Sequence, residues 1–133
     1  MVIYTELLTD QLLQGEDCKI GMAFDVMGYE PYGNTFLDKQ ARERSIDYNM
    51  GWFLEPVVHG DYPFSMRALI GDRLPYFTDA EQKKLVSSCD IMGLNYYTSR
   101  FSKHVKISPE FSPVLNTDDA YAISKCKKNT LEG

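Results

Sequence analysis

Two apolar segments of the chain have the pattern of buried β-strands. Residues 19–26 (KIGMAFDV) and 90–97 (DIMGLNYY) are largely apolar, with polar side chains near their carboxyl ends. Apolar runs of this length are typical of strands buried on both faces of a parallel sheet. In the second segment, the two-residue period places Asn95 and Tyr97 on one face, at the carboxyl end of the strand. Parallel α/β folds bind ligands at that end, although a turn at Asn95 and a tyrosine at the core rim fit the same pattern.

A long helix is predicted between the two strand segments. Apolar residues recur at helical spacing from residue 46 to residue 57 and predict a helix over residues 38–59. Asp38 is predicted as its N-cap, because a carboxylate there accepts a hydrogen bond from an open backbone N–H group. Pro56 cannot donate within a helix and predicts a kink or a restart.

A second helix leads into the second strand segment. Thr78 and Glu81 have the spacing of a capping box and predict a helix from residue 78 to about residue 88. The order strand, helix, helix, strand then predicts two adjacent parallel strands joined by a right-handed crossover, with the helix of residues 38–59 packed across them.

The remaining segments are assigned by weaker patterns. Apolar spacing in the first fourteen residues predicts a short amphipathic helix. Glycines and a proline predict an irregular loop over residues 27–37. Residues 99–107 fit either a strand extension or an extended loop, and the chain from residue 108 reads as loop. A disordered tail is predicted over residues 123–133.

Several short motifs resemble those of plant β-glucosidases of glycoside hydrolase family 1. Residues 90–101 (DIMGLNYYTSRF) resemble the sixth barrel strand of that family. Residues 50–66 (MGWFLEPVVHGDYPFSM) resemble its Trp-Phe-Leu-(Asp/Glu)-Pro…Gly-Asp-Tyr-Pro…Met motif. Residues 19–21, 34–38 and 115–121 fall in the family order around them. The motifs are most similar to those of grass, dhurrinase-like β-glucosidases, which act on defence glucosides.

The resemblance implies an α/β fold that is part of a (β/α)8 TIM barrel, about strands five and six with their helices. It divides the chain into an N-terminal helix outside the family pattern (1–17), a partial barrel domain (18–122) and the tail (123–133). It also implies a β-glucoside as the substrate of the full-length protein.

The resemblance also assigns four substrate-binding residues. Tyr97 is expected to hydrogen-bond the nucleophilic carboxylate and the ring-oxygen region of glucose, with Asn95 beside it. Asp25 and Met27 are expected near the aglycone. From the residues alone, Asp25 as a loop anchor and Met27 as a packing residue are the favoured alternatives. Glu55 precedes a proline, as the acid/base of the family does, but it falls within the helical pattern and is predicted to be structural.

The catalytic carboxylates of the family have no counterpart in these residues. A retaining β-glucosidase uses two carboxyl groups about 5 Å apart. The motifs that carry them, Thr-x-Asn-Glu-Pro and Ile-Thr-Glu-Asn-Gly, do not occur in the 133 residues. We therefore predict no catalytic residue and an inactive fragment. Two alternatives stay open: a protein that docks on a full-length β-glucosidase, and a small sugar-binding module using Trp52, Tyr96 and Tyr97.

Composition narrows the choice of partners and cofactors. A net charge of −5 argues against nucleic acid and anionic membrane surfaces as partners. His59 and His104 lack companions at metal-ligand spacing, and the three cysteines are widely spaced, so no metal or other cofactor is predicted. No Lys or Arg precedes residue 19, so the start does not resemble a signal or transit peptide, and the compartment stays open.

Overall fold

A computed structural model describes residues 19–106, 108 and 118–126. These residues form a three-stranded mixed sheet of order β1-β2-β3, with helices between the first two strands. The elements are β1 (Gly21–Pro31), α1 (Phe36–Ile46), a π-helical turn (Asp47–Gly51), α2 (Trp52–His59), α3 (Phe64–Ile70), a 3-10 turn (Gly71–Arg73), α4 (Asp79–Leu85), β2 (Ile91–His104), a second 3-10 turn (Asp118–Ala120) and β3 (Ala122–Lys125). The predicted N-terminal helix lies outside the described residues.

The predicted parallel strand pair is confirmed. β1 and β2 pair in parallel, beginning at Gly21 opposite Ile91, and α1 packs against both strands. Both strands are longer than predicted. The pairing resumes with Gly28 opposite Ser99 after a one-residue slip, so the loop predicted from residue 27 begins only after Pro31. The loop prediction was wrong there because β2 continues alongside and supplies hydrogen-bond partners to β1.

Gly28 allows β1 to lie close to the side chains of β2 at the slip in the ladder. A Cβ atom on Gly28 would lie 2.5 Å from the Ser99 hydroxyl oxygen and 3.0 Å from the Tyr96 hydroxyl oxygen. These two hydroxyls hydrogen-bond to each other over the glycine. A glycine in a strand thus marks a close backbone approach here rather than a turn.

The N-cap of α1 is Thr35, not Asp38. The Thr35 hydroxyl accepts a hydrogen bond from the Asp38 N–H at 3.1 Å, and its backbone is extended. Asp38 lies in the first helical turn. Its carboxylate accepts hydrogen bonds from the Thr35 hydroxyl at 2.9 Å and from the backbone N–H of His104 at 3.0 Å. Asp38 therefore ties the start of α1 to the end of β2.

Replacing Asp38 by alanine is expected to lower the free energy of unfolding by about 1–3 kcal/mol near neutral pH, because two hydrogen bonds to a charged group are lost. Burial alone would raise the pKa of Asp38, but the donors from His104 and Thr35 and the charge of Lys103 hold it below its ordinary value of 3.8. A lowered folded-state pKa stabilises the fold above pH 3.8, and that contribution disappears as the pH falls further. Urea denaturation of both proteins should show their difference shrinking below pH 3.8. A difference that stays constant down to acid unfolding would contradict this role.

The buried face of α1 differs from the predicted apolar stripe. The stripe was predicted from apolar residues between residues 46 and 57, and of these stripe residues only Val57 is fully buried. The buried side chains before it are Ala41 and Ser45 of α1 and Tyr48 of the π-helical turn. The Ser102 hydroxyl of β2, itself completely buried, donates to the Ser45 hydroxyl oxygen at 2.6 Å. Small residues let the helix approach the sheet closely, and a hydrogen-bonded serine pair satisfies the polar atoms there.

Two details of the predicted helices also change. A kink or restart was predicted at Pro56, but Pro56 lies inside α2. The helix is interrupted earlier, at the π-helical turn Asp47–Gly51. The predicted capping box of α4 is confirmed, since Thr78 and Glu81 each bond the backbone of the other. The helix ends at Leu85, three residues before the predicted end.

The disorder predicted from residue 123 was wrong for residues 123–125, which belong to β3. β3 pairs antiparallel with the end of β2, where His104 lies opposite Ala122. Arg44 of α1 holds the turn before β3, donating to the carbonyl oxygens of Ala120 at 2.7 Å and Tyr121 at 3.3 Å. The polar composition predicted a disordered tail, but β2 extends far enough to pair with residues 122–125.

A small apolar core lies between the helices and the segment before β3. Its buried members are Tyr48, Met66, Leu74 and Ala120. The Tyr48 hydroxyl donates to the backbone carbonyl of Asp119 at 3.3 Å. The core therefore joins the helical segments to the residues that precede β3.

The first half of β2 is not buried as predicted. Ile91, Leu94 and Tyr96 are more than half exposed, whereas Ser102 near the other end is completely buried. The physical reason is that α1 and β3 pack against the carboxyl half of β2, and no described element covers the amino half. Within the described residues, no helix is long and apolar enough to span a membrane, and no cluster of three metal-binding side chains is found.

Candidate functional site

The structure brings Asp25 and Asn95 together. They are direct partners in the parallel ladder, and both are exposed. Together with Phe24 and Phe53, among others, they line an open groove of about 510 Å³. The groove therefore joins a carboxylate and an amide, which hydrogen-bond hydroxyl groups, to apolar ring surfaces.

Tyr97 lies two residues beyond Asn95, next to the slip in the β1–β2 ladder. It is 77% exposed, and its hydroxyl makes no hydrogen bond within the described part of the chain. The neighbouring Tyr96 differs, because its hydroxyl bonds that of Ser99. The phenol of Tyr97 is thus open to a group from outside these residues, while that of Tyr96 is engaged.

Met27 is held by its backbone rather than by its side chain. Its N–H donates to the amide oxygen of Asn49 at 2.8 Å, which links β1 to the π-helical turn. Asn49 was not among the predicted site residues. A signal was available, because asparagine is unfavourable inside a helix unless its side chain bonds elsewhere.

Asp25 is the exposed carboxylate at the groove, and no described residue hydrogen-bonds it. Asp38 and Asp61, by contrast, are bonded within the fold. Asp61 is held by Arg67, which binds both of its oxygens and also the carbonyl oxygens of Leu74 and Pro75. This guanidinium, outweighing the effect of burial, lowers the pKa of Asp61. The groove therefore offers one carboxylate, which suits binding rather than two-carboxylate hydrolysis.

Glu55 lies inside α2, as predicted. Its carboxylate is 2.7 Å from Nδ1 of His59, one helical turn later. An exposed pair at this spacing stabilises a helix modestly. The assignment of Glu55 as a structural residue agrees with this geometry.

Trp52 lines a smaller cavity, which shares Asp25 and Phe53 with the groove. It stacks on Phe53 with ring centroids 5.6 Å apart, and both line a cavity of about 200 Å³ that Asn49 also borders. Neither Tyr96 nor Tyr97 lines that cavity. The three aromatic residues named for a sugar-binding module are therefore not gathered in one site.

The sequence matches Glycosyl hydrolase family 1 over residues 5–131, which includes most of the segment 1–17 that was predicted to lie outside the family pattern. A wheat (Triticum aestivum) protein, 4-hydroxy-7-methoxy-3-oxo-3,4-dihydro-2H-1,4-benzoxazin-2-yl glucoside beta-D-glucosidase 1b, is 83% identical over 109 residues, which are 82% of this chain and 19% of that protein. Avenacosidase 1 of oat (Avena sativa) is 66% identical over 85% of this chain and 20% of its own length. This chain thus spans about a fifth of the relatives that it matches.

Solved structures give the same result. The rice Os3BGlu6 β-glucosidase superposes with a TM-score of 0.85 at 33% identity, covering 96% of this chain and 27% of its own. A family 1 β-glucosidase from the fungus Humicola insolens gives a TM-score of 0.82 at 26% identity over 96% of this chain and 26% of its own. The α/β unit described above is thus the partial barrel fold that was predicted. With a match over residues 5–131, the chain belongs to glycosyl hydrolase family 1.

Proposed function

We propose that this chain forms part of the glucoside-binding wall of a family 1 β-glucosidase and does not hydrolyse glucosides by itself. The observation that carries the proposal is the arrangement within β1 and β2 just before the slip in their ladder, since both strands continue past the predicted carboxyl end. Asp25 and Asn95 are ladder partners there, and Tyr97 follows with a hydroxyl that no described residue hydrogen-bonds. Exposed groups that donate and accept hydrogen bonds beside apolar surface are what a sugar ring requires.

Tyr97 is proposed to act on the nucleophile of the complete barrel. A phenol that donates a hydrogen bond to a carboxylate favours the charged form, lowers the pKa of that carboxylate and fixes its orientation. The exposure of Tyr97 and its lack of a hydrogen-bond partner within the described residues support this role. Tyr97 would be a positioning residue and not the nucleophile, since the unperturbed pKa of a phenol is about 10.

A benzoxazinyl glucoside is the proposed substrate class. The support is the identity of 83% over 109 residues to the wheat relative, whose name states a benzoxazinyl glucoside. Asp25 and Met27 are proposed to stand near the aglycone, which is a flat bicyclic ring in that compound. The exposed carboxylate and the apolar rings of the groove suit the polar edge and the faces of such a ring.

The test is a transplant. Residues 19–126 would replace the matching segment of the wheat relative, and hydrolysis of its benzoxazinyl glucoside would be measured. We expect kcat/KM within about tenfold of the parent, which corresponds to about 1.4 kcal/mol of transition-state stabilisation. A folded transplant without activity on any β-glucoside would contradict the proposed role, whereas activity shifted to another glucoside would contradict only the substrate class.

The two alternatives receive unequal support. Docking on a full-length β-glucosidase is favoured by the exposed apolar side chains of β2, Ile91 and Leu94 among them. A small sugar-binding module is disfavoured, because Trp52 lines a cavity that neither Tyr96 nor Tyr97 borders. Titration of the labelled chain with glucose, followed by nuclear magnetic resonance, distinguishes them. Saturable shifts at Trp52 would favour the module.

A further inference from the structure

Met27 lies at the point where the ladder between β1 and β2 changes register. β2 advances from Tyr96 to Ser99 while β1 advances only from Val26 to Gly28. Met27 therefore has no single partner on β2, unlike the residues before and after it. Irregularities of this kind are frequent beside active sites, where they change the direction in which a side chain points.

An asparagine from the helices fixes the backbone at this point. The Met27 N–H donates to the side-chain oxygen of Asn49 at 2.8 Å, across 22 positions of the sequence. The bond is partly buried, and a buried N–H that loses its acceptor costs free energy. Among the described residues, Asn49 is thus the acceptor that holds β1 where the register changes.

The π-helical turn holds Asn49 in place. Asp47 accepts a hydrogen bond from the Ser65 hydroxyl of α3 at 2.7 Å, and Tyr48 is buried in the apolar core. The Trp52 N–H donates to the carbonyl oxygen of Asp47, five residues earlier, which closes the wide turn. Single π-helical turns are frequent at functional sites. The bond to Met27 therefore comes from a segment that is itself anchored to the core and to α3.

The backbone that Asn49 holds carries both residues proposed to stand near the aglycone. Asp25 precedes Met27 by two residues on β1, and Asp25 and Asn49 line the same cavity of about 200 Å³. A shift of the backbone at Met27 would therefore move the Asp25 carboxylate as well. A misplacement of about 1 Å at a site can cost about 10²-fold in rate.

We propose that Asn49 is a positioning residue that sets aglycone specificity by fixing the backbone of β1 at Met27. It acts through Met27 and Asp25 and not on the reacting atoms. The inference rests on the proposed function, because it takes these two residues to stand near the aglycone. Recognition of glucose should depend little on Asn49, since Tyr97 is carried by β2.

The test replaces Asn49 by leucine in the transplanted enzyme. Leucine is similar in size but has no acceptor for the Met27 N–H. We expect kcat/KM for the benzoxazinyl glucoside to fall on the order of tenfold, whereas the inhibition constant of glucose stays nearly unchanged. Asn49→Asp keeps an acceptor oxygen at the same reach and should recover most of the loss.

Ser45→Ala is the matched control. Ser45 lies one helical turn before Asn49, and its hydroxyl oxygen accepts a hydrogen bond from the buried Ser102 of β2 at 2.6 Å. The variant removes a bond between the helices and the sheet without releasing Met27. It should lower stability and leave the preference for the benzoxazinyl glucoside over glucose unchanged. Equal changes of this preference in Asn49→Leu and Ser45→Ala would overturn the inference.

Hydrogen exchange in the 133-residue chain tests the bond without any activity. We expect the Met27 amide to exchange at least about tenfold faster in Asn49→Leu than in the parent, and Asn49→Asp to keep its protection. Unchanged exchange at Met27 in Asn49→Leu overturns the inference. A parent transplant that cleaves no glucoside contradicts the proposed function, and this inference with it. An active parent whose substrate preference survives Asn49→Leu contradicts this inference alone.

Discussion

Replacing Tyr97 by phenylalanine in the transplanted enzyme is expected to lower kcat/KM for an aryl β-glucoside by about 10²–10³-fold, the usual effect of removing one donor that stabilises developing charge. The proposed donor is the hydroxyl of Tyr97, which makes no hydrogen bond within the described residues. Phenylalanine keeps the ring and removes only this hydroxyl. The loss should therefore fall mainly on kcat, with little change in stability because the side chain is 77% exposed.

Tyr96→Phe is the matched control for this prediction. Tyr96 is also an exposed tyrosine of β2, but its hydroxyl bonds the Ser99 hydroxyl. Its loss is expected to change kcat/KM by less than about tenfold, equivalent to about 1.4 kcal/mol. Equal losses in both variants would mean that this part of β2 tolerates no change, and the specific role of Tyr97 would be contradicted.

Replacing Met66 by alanine is expected to lower the free energy of unfolding by about 2–5 kcal/mol. Met66 is 1% exposed and belongs to the core cluster with Tyr48, Leu74 and Ala120. Truncation leaves a cavity between the helices and the segment before β3. Because whole domains are stable by only about 5–15 kcal/mol, the loss removes a large fraction of the total.

Phe64→Ala is the control, since Phe64 lies two residues earlier on the same helix and is 88% exposed. Its effect is expected to stay within about 0.5 kcal/mol. Urea denaturation at one fixed protein concentration measures both variants. A Met66 variant as stable as the parent would show that this cluster does not hold the helices to the segment before β3.

Sequence patterns predicted the elements whose causes are local. The capping box at Thr78 and Glu81 lies within four residues and was found. The parallel pairing was predicted because two apolar strand segments are joined by helices, an order that requires a crossover. The N-cap at Thr35 was missed because both Thr35 and Asp38 suit that position, and only the reach of Asp38 to the distant His104 N–H distinguishes them.

The remaining errors share a non-local cause. β3 forms because β2 continues to His104 and Arg44 binds the preceding carbonyl oxygens, neither of which is visible in the composition of residues 118–125. Asn49 holds the backbone of Met27 from 22 residues away. For the candidate site, the strand period placed Asn95 and Tyr97 on one face, but the direct pairing of Asn95 with Asp25 depends on a register that no single segment reveals.

The most direct test of the central claim is the rate at which the purified 133-residue chain hydrolyses an aryl β-glucoside. The account predicts no turnover above the uncatalysed rate. Covalent glycoside hydrolysis needs a nucleophile and a proton donor on two facing carboxyl groups, and among the described residues that line the groove Asp25 is the only carboxylate. The assay includes an Asp25→Asn variant and the active transplant as a positive control. Turnover that persists through purification and is lost with Asp25→Asn would contradict the claim that this chain does not hydrolyse glucosides by itself.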